Sequence, residues 1–254
     1  MPTPYWTLVK AHCEPTVDGM EKADITTLKA FADEVSRRGS PVLRRKQCKA
    51  LENFASVRLS DNFFMRDFLY SEVAAVHGIP NIPSDPELAI KAGKGLCQIL
   101  LEPLRATFGH IAVRSAYRST AVNGYCHRHK LGCSGNERNC HRHIWDRERA
   151  ADRSGPHGRC LGATASVVVP WFIPRYEGGT SWQAMAWWVH DHLPYCEMVF
   201  FPRYAAFNLH WCENPVRKIK SLVDPKGTLV EPGMGNHLGD HSSEYPGFPQ
   251  LKLW

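Results

Sequence analysis

No window of the 254-residue chain approaches eighteen uninterrupted apolar residues, so a membrane-spanning helix of ordinary length is not expected. The opening residues, MPTPYWTLVKAHCEP, lack both the basic start and the apolar stretch of a secretory signal. The chain is therefore expected to be cytoplasmic as synthesised, which also suits a phage-encoded protein that is later released or built into a virion. No Cys-x-x-Cys pair occurs, so the strong zinc-finger spacing is missing. A strong excess of one charge is missing too. A formal net charge of +6 permits an anionic partner without requiring one, and nucleic acid is not the expected partner. Hydrophobic residues at 43% and charged residues at 22% are ordinary for a chain that buries its own core.

Helical periodicity dominates the first half. ADITTLKAFADEVSRRGS places Ile25, Leu28, Phe31, Ala32 and Val35 on one face, and Gly39 supplies a stop. Ser40 and Pro41 then open a second helix, giving an N-terminal helical extension over residues 1–60. A short helix ends at Gly78. Next, Ser84 with Glu87 fits a capping box, and Pro86 sits in the first turn of a long core helix striped by Leu88, Ala92, Leu96, Ile99, Leu100 and Leu104. HIAVRSAYRS and LGATASVVVPWF read as strands and SWQAMAWWVHDHL as a helix. CEMVFFP and AAFNLHW read as a hairpin. The tryptophans Trp182, Trp187, Trp188 and Trp211 read as core. Residues 223–254, rich in Gly and Pro, read as an irregular tail that wraps the domain or stays loose.

Residues 124–160 have no periodicity and read as a polar insertion, a long surface loop. It contains the same four letters twice, Cys-His-Arg-His, at 126–129 and 140–143. Such a loop buries too little to hold itself and gains from a staple. Three readings stay open: a structural zinc on Cys126, Cys133, Cys140 and Cys160, a disulfide, or uncommitted side chains. The lone Cys13, Cys48 and Cys97 read as small buried or half-buried residues in a reducing compartment.

The order of elements carries a resemblance. Phe68, Ser71 and Glu72, then Leu101-Glu102-Pro103-Leu104-Arg105, then Ser115, Tyr117-Arg118-Ser119 and Asn123, followed late in the chain by His210 in FNLHW, resemble the M15 zinc peptidases. That family includes D-alanyl-D-alanine carboxypeptidases and phage endolysins. The resemblance covers about residues 62–222 and implies an α+β fold: a Hedgehog/DD-peptidase-like antiparallel sheet flanked by helices, over residues 61–222. It implies one catalytic zinc and a peptidoglycan stem peptide or other small peptide as substrate. The family's usual His and Asp ligands are missing at their usual place, where Arg159 and Ser166 stand.

The substitute ligands are His143 and Asp146 in HIWD, with His157 and Asp152 as alternates and His210 as the third. Ile144 and Trp145 would anchor HIWD in the core. In the resemblance Arg118 holds the substrate carboxylate or the developing oxyanion, with Tyr117, Ser119 and Asn123 around it. The plainer role for Arg118 is an ion pair with Glu72 or Asp191. Glu197 is the candidate general base, with Glu213 weaker. A scaffold that has lost its metal and serves in binding or virion structure is the alternative.

Overall fold

The computed structural model describes residues 25–30, 41–150 and 159–252. Among them no helix is long and apolar enough to cross a membrane. They fall into two compact units, one drawn from residues 25–94 and 115–164, the other from 95–114 and 165–252. Of the expected first helix, residues 25–30 are helical with Ile25 and Leu28 buried; Phe31, Ala32 and Val35 lie outside the described residues.

The first unit is helical. α1 (Pro41–Ala55) leads to a 3-10 turn at Met65–Phe68 and then α2 (Glu72–His77). Ser71 caps α2 by accepting from the Ala74 amide, and Gly78 ends it at φ 62°, a left-handed angle that favours glycine. α3 (Pro86–Leu96) has the expected proline in its first turn. The cap is shifted by one residue from the expected Ser84: Asp85 Oδ1 accepts from the Leu88 amide at 3.3 Å. Ser84 is otherwise engaged, its own amide donating to Asp146 Oδ2 at 2.6 Å.

The helical run continues through a π turn (Cys97–Leu101) into α4 (Glu102–Phe108). The π turn widens the ring by one residue and turns Leu101 inward beside Leu100 and Leu104. Gly95 lies in this run because a Cβ there would fall 2.4 Å from the Trp211 indole.

The polar insertion is more ordered than its composition suggests. After β1 (Ala112–Ser115), α5 (Thr120–Arg128) runs into it, and it contains α6 (Asn136–Asn139) and a two-stranded ribbon of β2 (Arg149–Ala150) and β3 (Arg159–Cys160). Trp145 is fully buried, 5.4 Å from the Phe68 ring and 6.0 Å from Tyr117. Ile144 and Trp145 are both fully buried, so HIWD is anchored in the core as expected.

The sheet has six strands, completed by β4 (Gly162–Val168), β5 (Glu197–Phe200), β6 (Phe207–Cys212), β7 (Lys218–Ser221) and β8 (Gly227–Val230), in the order β1-β4-β6-β5-β7-β8. β5 and β6 form the expected antiparallel hairpin, with Glu197 opposite His210. The sheet is mixed rather than wholly antiparallel. After β6 the chain reverses and lands on the far edge of β5, where β7 runs parallel to it. α7 (Ile173–Glu177) and α8 (Trp182–His192) follow β4. Trp182, Trp187, Trp188 and Trp211 are buried, as core residues should be.

The C-terminal segment is irregular only in part. Its first residues form β8, and the rest is tied to α8 and α4. The Trp188 indole donates to the Pro249 carbonyl, Asp191 accepts from the His241 amide and the Tyr245 hydroxyl, and the Lys252 amide donates to Thr107 Oγ1.

Candidate functional site

In the first unit the Ser-x-Tyr-Arg-Ser motif joins β1 to α5. Ser119 caps α5, accepting from the Val122 amide, and donates to the Pro80 carbonyl. Asn123 is buried and clamps the following loop. It donates to the Ser134 carbonyl and to Asn136, and accepts from Asn139. Both residues therefore position the motif. Tyr117 is fully buried, with its hydroxyl towards the Asp146 carboxyl; burial and then that carboxyl push its pKa well up.

Arg118 donates to Ser115 Oγ at 3.0 Å and to Cys133 Sγ at 3.3 Å. Among the described residues no carboxylate forms an ion pair with it, and Glu72 acts on it only at longer range. Burial lowers its pKa, so a bound anion would recover solvation the guanidinium has lost.

Cys126 and Cys133 form a disulfide. With the two sulfurs bonded to each other, neither is a thiolate for metal. Cys140 Sγ lies by the Arg147 and Glu148 carbonyls, and Cys160 is buried near the Leu161 carbonyl. The four-cysteine zinc set is thus not assembled, and the staple is covalent. Cys97 is buried as expected, whereas Cys48 is exposed.

His143 is buried, and its Nδ1 lies 2.7 Å from the Ala116 carbonyl. A carbonyl only accepts, so Nδ1 carries the hydrogen and Nε2 carries the lone pair of the neutral ring. This is how metal-ligating histidines are oriented. Asp146 Oδ2 takes the Ser84 amide, while Oδ1 is buried without a hydrogen-bond partner. Burial raises the pKa of this carboxyl. The alternates His157 and Asp152 lie outside the described residues.

In the second unit the β5–β6 register sets Glu197 beside His210 on one face of the sheet, both buried. Lys220 Nζ lies 3.5 Å from Glu197 Oε1. Ser166, at the position where the resembled family has its Asp, hydrogen-bonds Asn208 on β6 instead.

Sequence reasoning passed over Cys196 and Cys212. Cys196 lies in the bend before β5, where strict strand alternation does not apply, and its sulfur faces both Cys212 and His210. Those neighbours, Cys212 first, pull the Cys196 thiol below its ordinary pKa against the cost of burial. The signal was in the sequence: the expected hairpin starts just after Cys196 and ends on Cys212.

No family, curated protein or solved structure matches the chain. Among the described residues no three His, Cys, Asp or Glu side chains are grouped to hold a metal ion. Taken donor by donor, the chemistry still suits zinc: a basic Nε2 on His143, a buried carboxylate oxygen of Asp146 lacking a hydrogen bond, and an imidazole at His210 next to a carboxylate.

Proposed function

We propose that the chain is a zinc-dependent peptidase of the M15 type, with the Hedgehog/DD-peptidase-like architecture, acting on peptides of the peptidoglycan-stem class. The observation that carries this reading is the buried Glu197–His210 pair across β5 and β6, which sets a candidate ligand beside a candidate base. Taken residue by residue, the candidate zinc ligands are His143 and Asp146 in the first unit and His210 in the second. Bound there, zinc would supply Lewis acidity for hydrolysis. Glu197 accepts a proton from the attacking water. Arg118, desolvated and without a carboxylate ion pair among the described residues, binds the substrate's terminal carboxylate or the developing oxyanion.

The test is metal content together with hydrolysis of a stem peptide. His210→Ala should lose both zinc and turnover. Glu197→Gln should keep zinc and lose turnover by about 10²–10⁴-fold. Wild-type protein that binds no zinc, or full turnover by either variant, would sink the reading.

The Cys126–Cys133 disulfide favours a second reading, a non-catalytic binding or virion protein whose polar loop is covalently stapled. That reading expects no turnover on any stem peptide and a loop whose partner binding is lost on reduction.

A further inference from the structure

We propose that the Cys126–Cys133 disulfide is a reversible switch on Arg118: closed, it leaves the guanidinium charge to a bound carboxylate, and opened by a dithiol, it puts the Cys133 thiolate in that place. The inference rests on the reading of Arg118 as a carboxylate binder. Arg118 Nη1 donates to Cys133 Sγ at 3.3 Å and Nη2 donates to Ser115 Oγ at 3.0 Å. In the disulfide that sulfur is a neutral, weak acceptor. It orients the guanidinium without neutralising it, and among the described residues no carboxylate forms an ion pair there either. Opening the bond leaves the sulfur in place, because the loop ends are held by other bonds. The Leu131 amide donates to the Cys126 carbonyl at 2.9 Å, His127 Nδ1 to the Cys133 carbonyl at 3.0 Å, and Asn123 to the Ser134 carbonyl at 3.0 Å. Arg118 is fixed from the other side, its amide donating to the His143 carbonyl at 2.8 Å. A thiolate so close to a guanidinium makes a charge-assisted pair. An incoming carboxylate must then displace it.

The exchange balances with a dithiol as reductant. Cys133 is half-buried and Cys126 is 2% exposed, so the dithiol reaches the Cys133 sulfur. One thiolate of the dithiol attacks it. A new S–S bond forms, the Cys126–Cys133 bond breaks, and Cys126 leaves as a thiolate that takes the proton of the dithiol's second thiol. That second sulfur then attacks the first sulfur of the reductant. The reductant closes into a cyclic disulfide, and Cys133 leaves as a thiolate beside Arg118. Two electrons pass from the dithiol to the protein disulfide. The guanidinium favours the last step, since a sulfur whose negative charge is stabilised is the better leaving group. Excess cyclic disulfide runs the same steps backward.

NMR titration of full-length protein with acetyl-D-alanine reads the switch, because this probe carries the terminal carboxylate but no peptide bond between two residues. Protein with the disulfide closed is compared with protein reduced by dithiothreitol, freed of reductant under argon, and with the same sample reoxidised. The Kd should weaken by about tenfold on reduction and recover on reoxidation. Cys133→Ser has neither disulfide nor thiolate, so it should bind like the oxidised wild type and ignore reductant, which separates charge from loop opening. In the reduced wild type at about pH 6.5, where an ordinary thiol is nearly all protonated, iodoacetamide should modify Cys133, and Arg118→Gln should slow that reaction. Equal Kd in the two redox states overturns the switch and leaves the reading of Arg118 standing. So does a folded Cys133→Ser variant that binds as weakly as the reduced protein. No binding in either state removes that reading and the switch with it. Alkylation unchanged by Arg118→Gln overturns the pairing whether or not the Cys133 variant folds.

Discussion

The two Cys-His-Arg-His tetrads are identical in letters and opposite in structure. In the first, Cys126 to His129, the residues close α5. The cysteine is buried in a disulfide and both histidines are exposed, His129 stacking 4.1 Å from Tyr125. In the second, Cys140 to His143, the chain turns, with His141 at φ 54°, and both histidines are buried. Neighbours make the difference. The first tetrad continues a helix that Ser119 starts. The second precedes Ile144 and Trp145, which the core of its unit takes up, and the turn follows: the His141 amide donates to the Ile144 carbonyl, and the His143 carbonyl accepts from the Arg118 amide. A short motif therefore takes its conformation from the apolar residues beside it.

The largest test of that contrast is Trp145→Ala. It should cost about 3–5 kcal/mol in a denaturant titration, because it empties the space between Phe68 and Tyr117. A loss under 1 kcal/mol would mean that the second tetrad does not depend on its anchor. Next comes Cys133→Ser, which opens the short loop of the first tetrad. The chain-entropy argument gives roughly 2.5 kcal/mol for such a loop, read as a drop in the unfolding midpoint, and reductant should reproduce it in the wild type.

Exchanging the histidines follows. His143→Ala removes a buried bond to the Ala116 carbonyl and should cost about 1–3 kcal/mol. The counterpart His127→Ala, on an exposed ring, should stay within about 0.5 kcal/mol. Equal effects would erase the distinction between the copies.

The smallest signal is a slope with pH, and it extends the buried-against-exposed contrast to His190. Burial, then Arg217, lowers this imidazole from 6.5 to about 4. Between those values the unfolded chain binds the proton and the folded chain does not. The stability from neutral His190 is complete above pH 6.5 and is lost as pH falls through about 4. His190→Gln should flatten that acid limb in stability measured against pH; an unchanged limb would assign it to other groups.

Much of the fold could be read because its signals are local. Gly78 as a stop, Pro86 in a first turn, the leucine stripe of the long helix and the β5–β6 hairpin all follow from propensity and period. The parallel placement of β7 could not be read, because a strand's neighbour depends on which sheet edge is open when the chain returns. Within residues 124–150 the core anchor at Ile144 and Trp145 was legible and a disulfide was one open reading, while the short helices escaped because they make no periodic pattern. At the candidate site, Glu197 and His210 could be placed on neighbouring strands from sequence, while the Cys196 sulfur beside His210 needed the bend before β5.

By itself the sequence determined the ends of several elements, such as the stop at Gly78, the start at Pro86 and the β5–β6 hairpin, since capping residues, glycine stops and apolar spacing act within a few residues. Only the tertiary structure decided which of two identical tetrads is buried, which cysteines are joined and that Cys196 faces His210. Those outcomes depend on side chains brought together from distant points of the chain, where burial and covalent bonding outweigh any local preference.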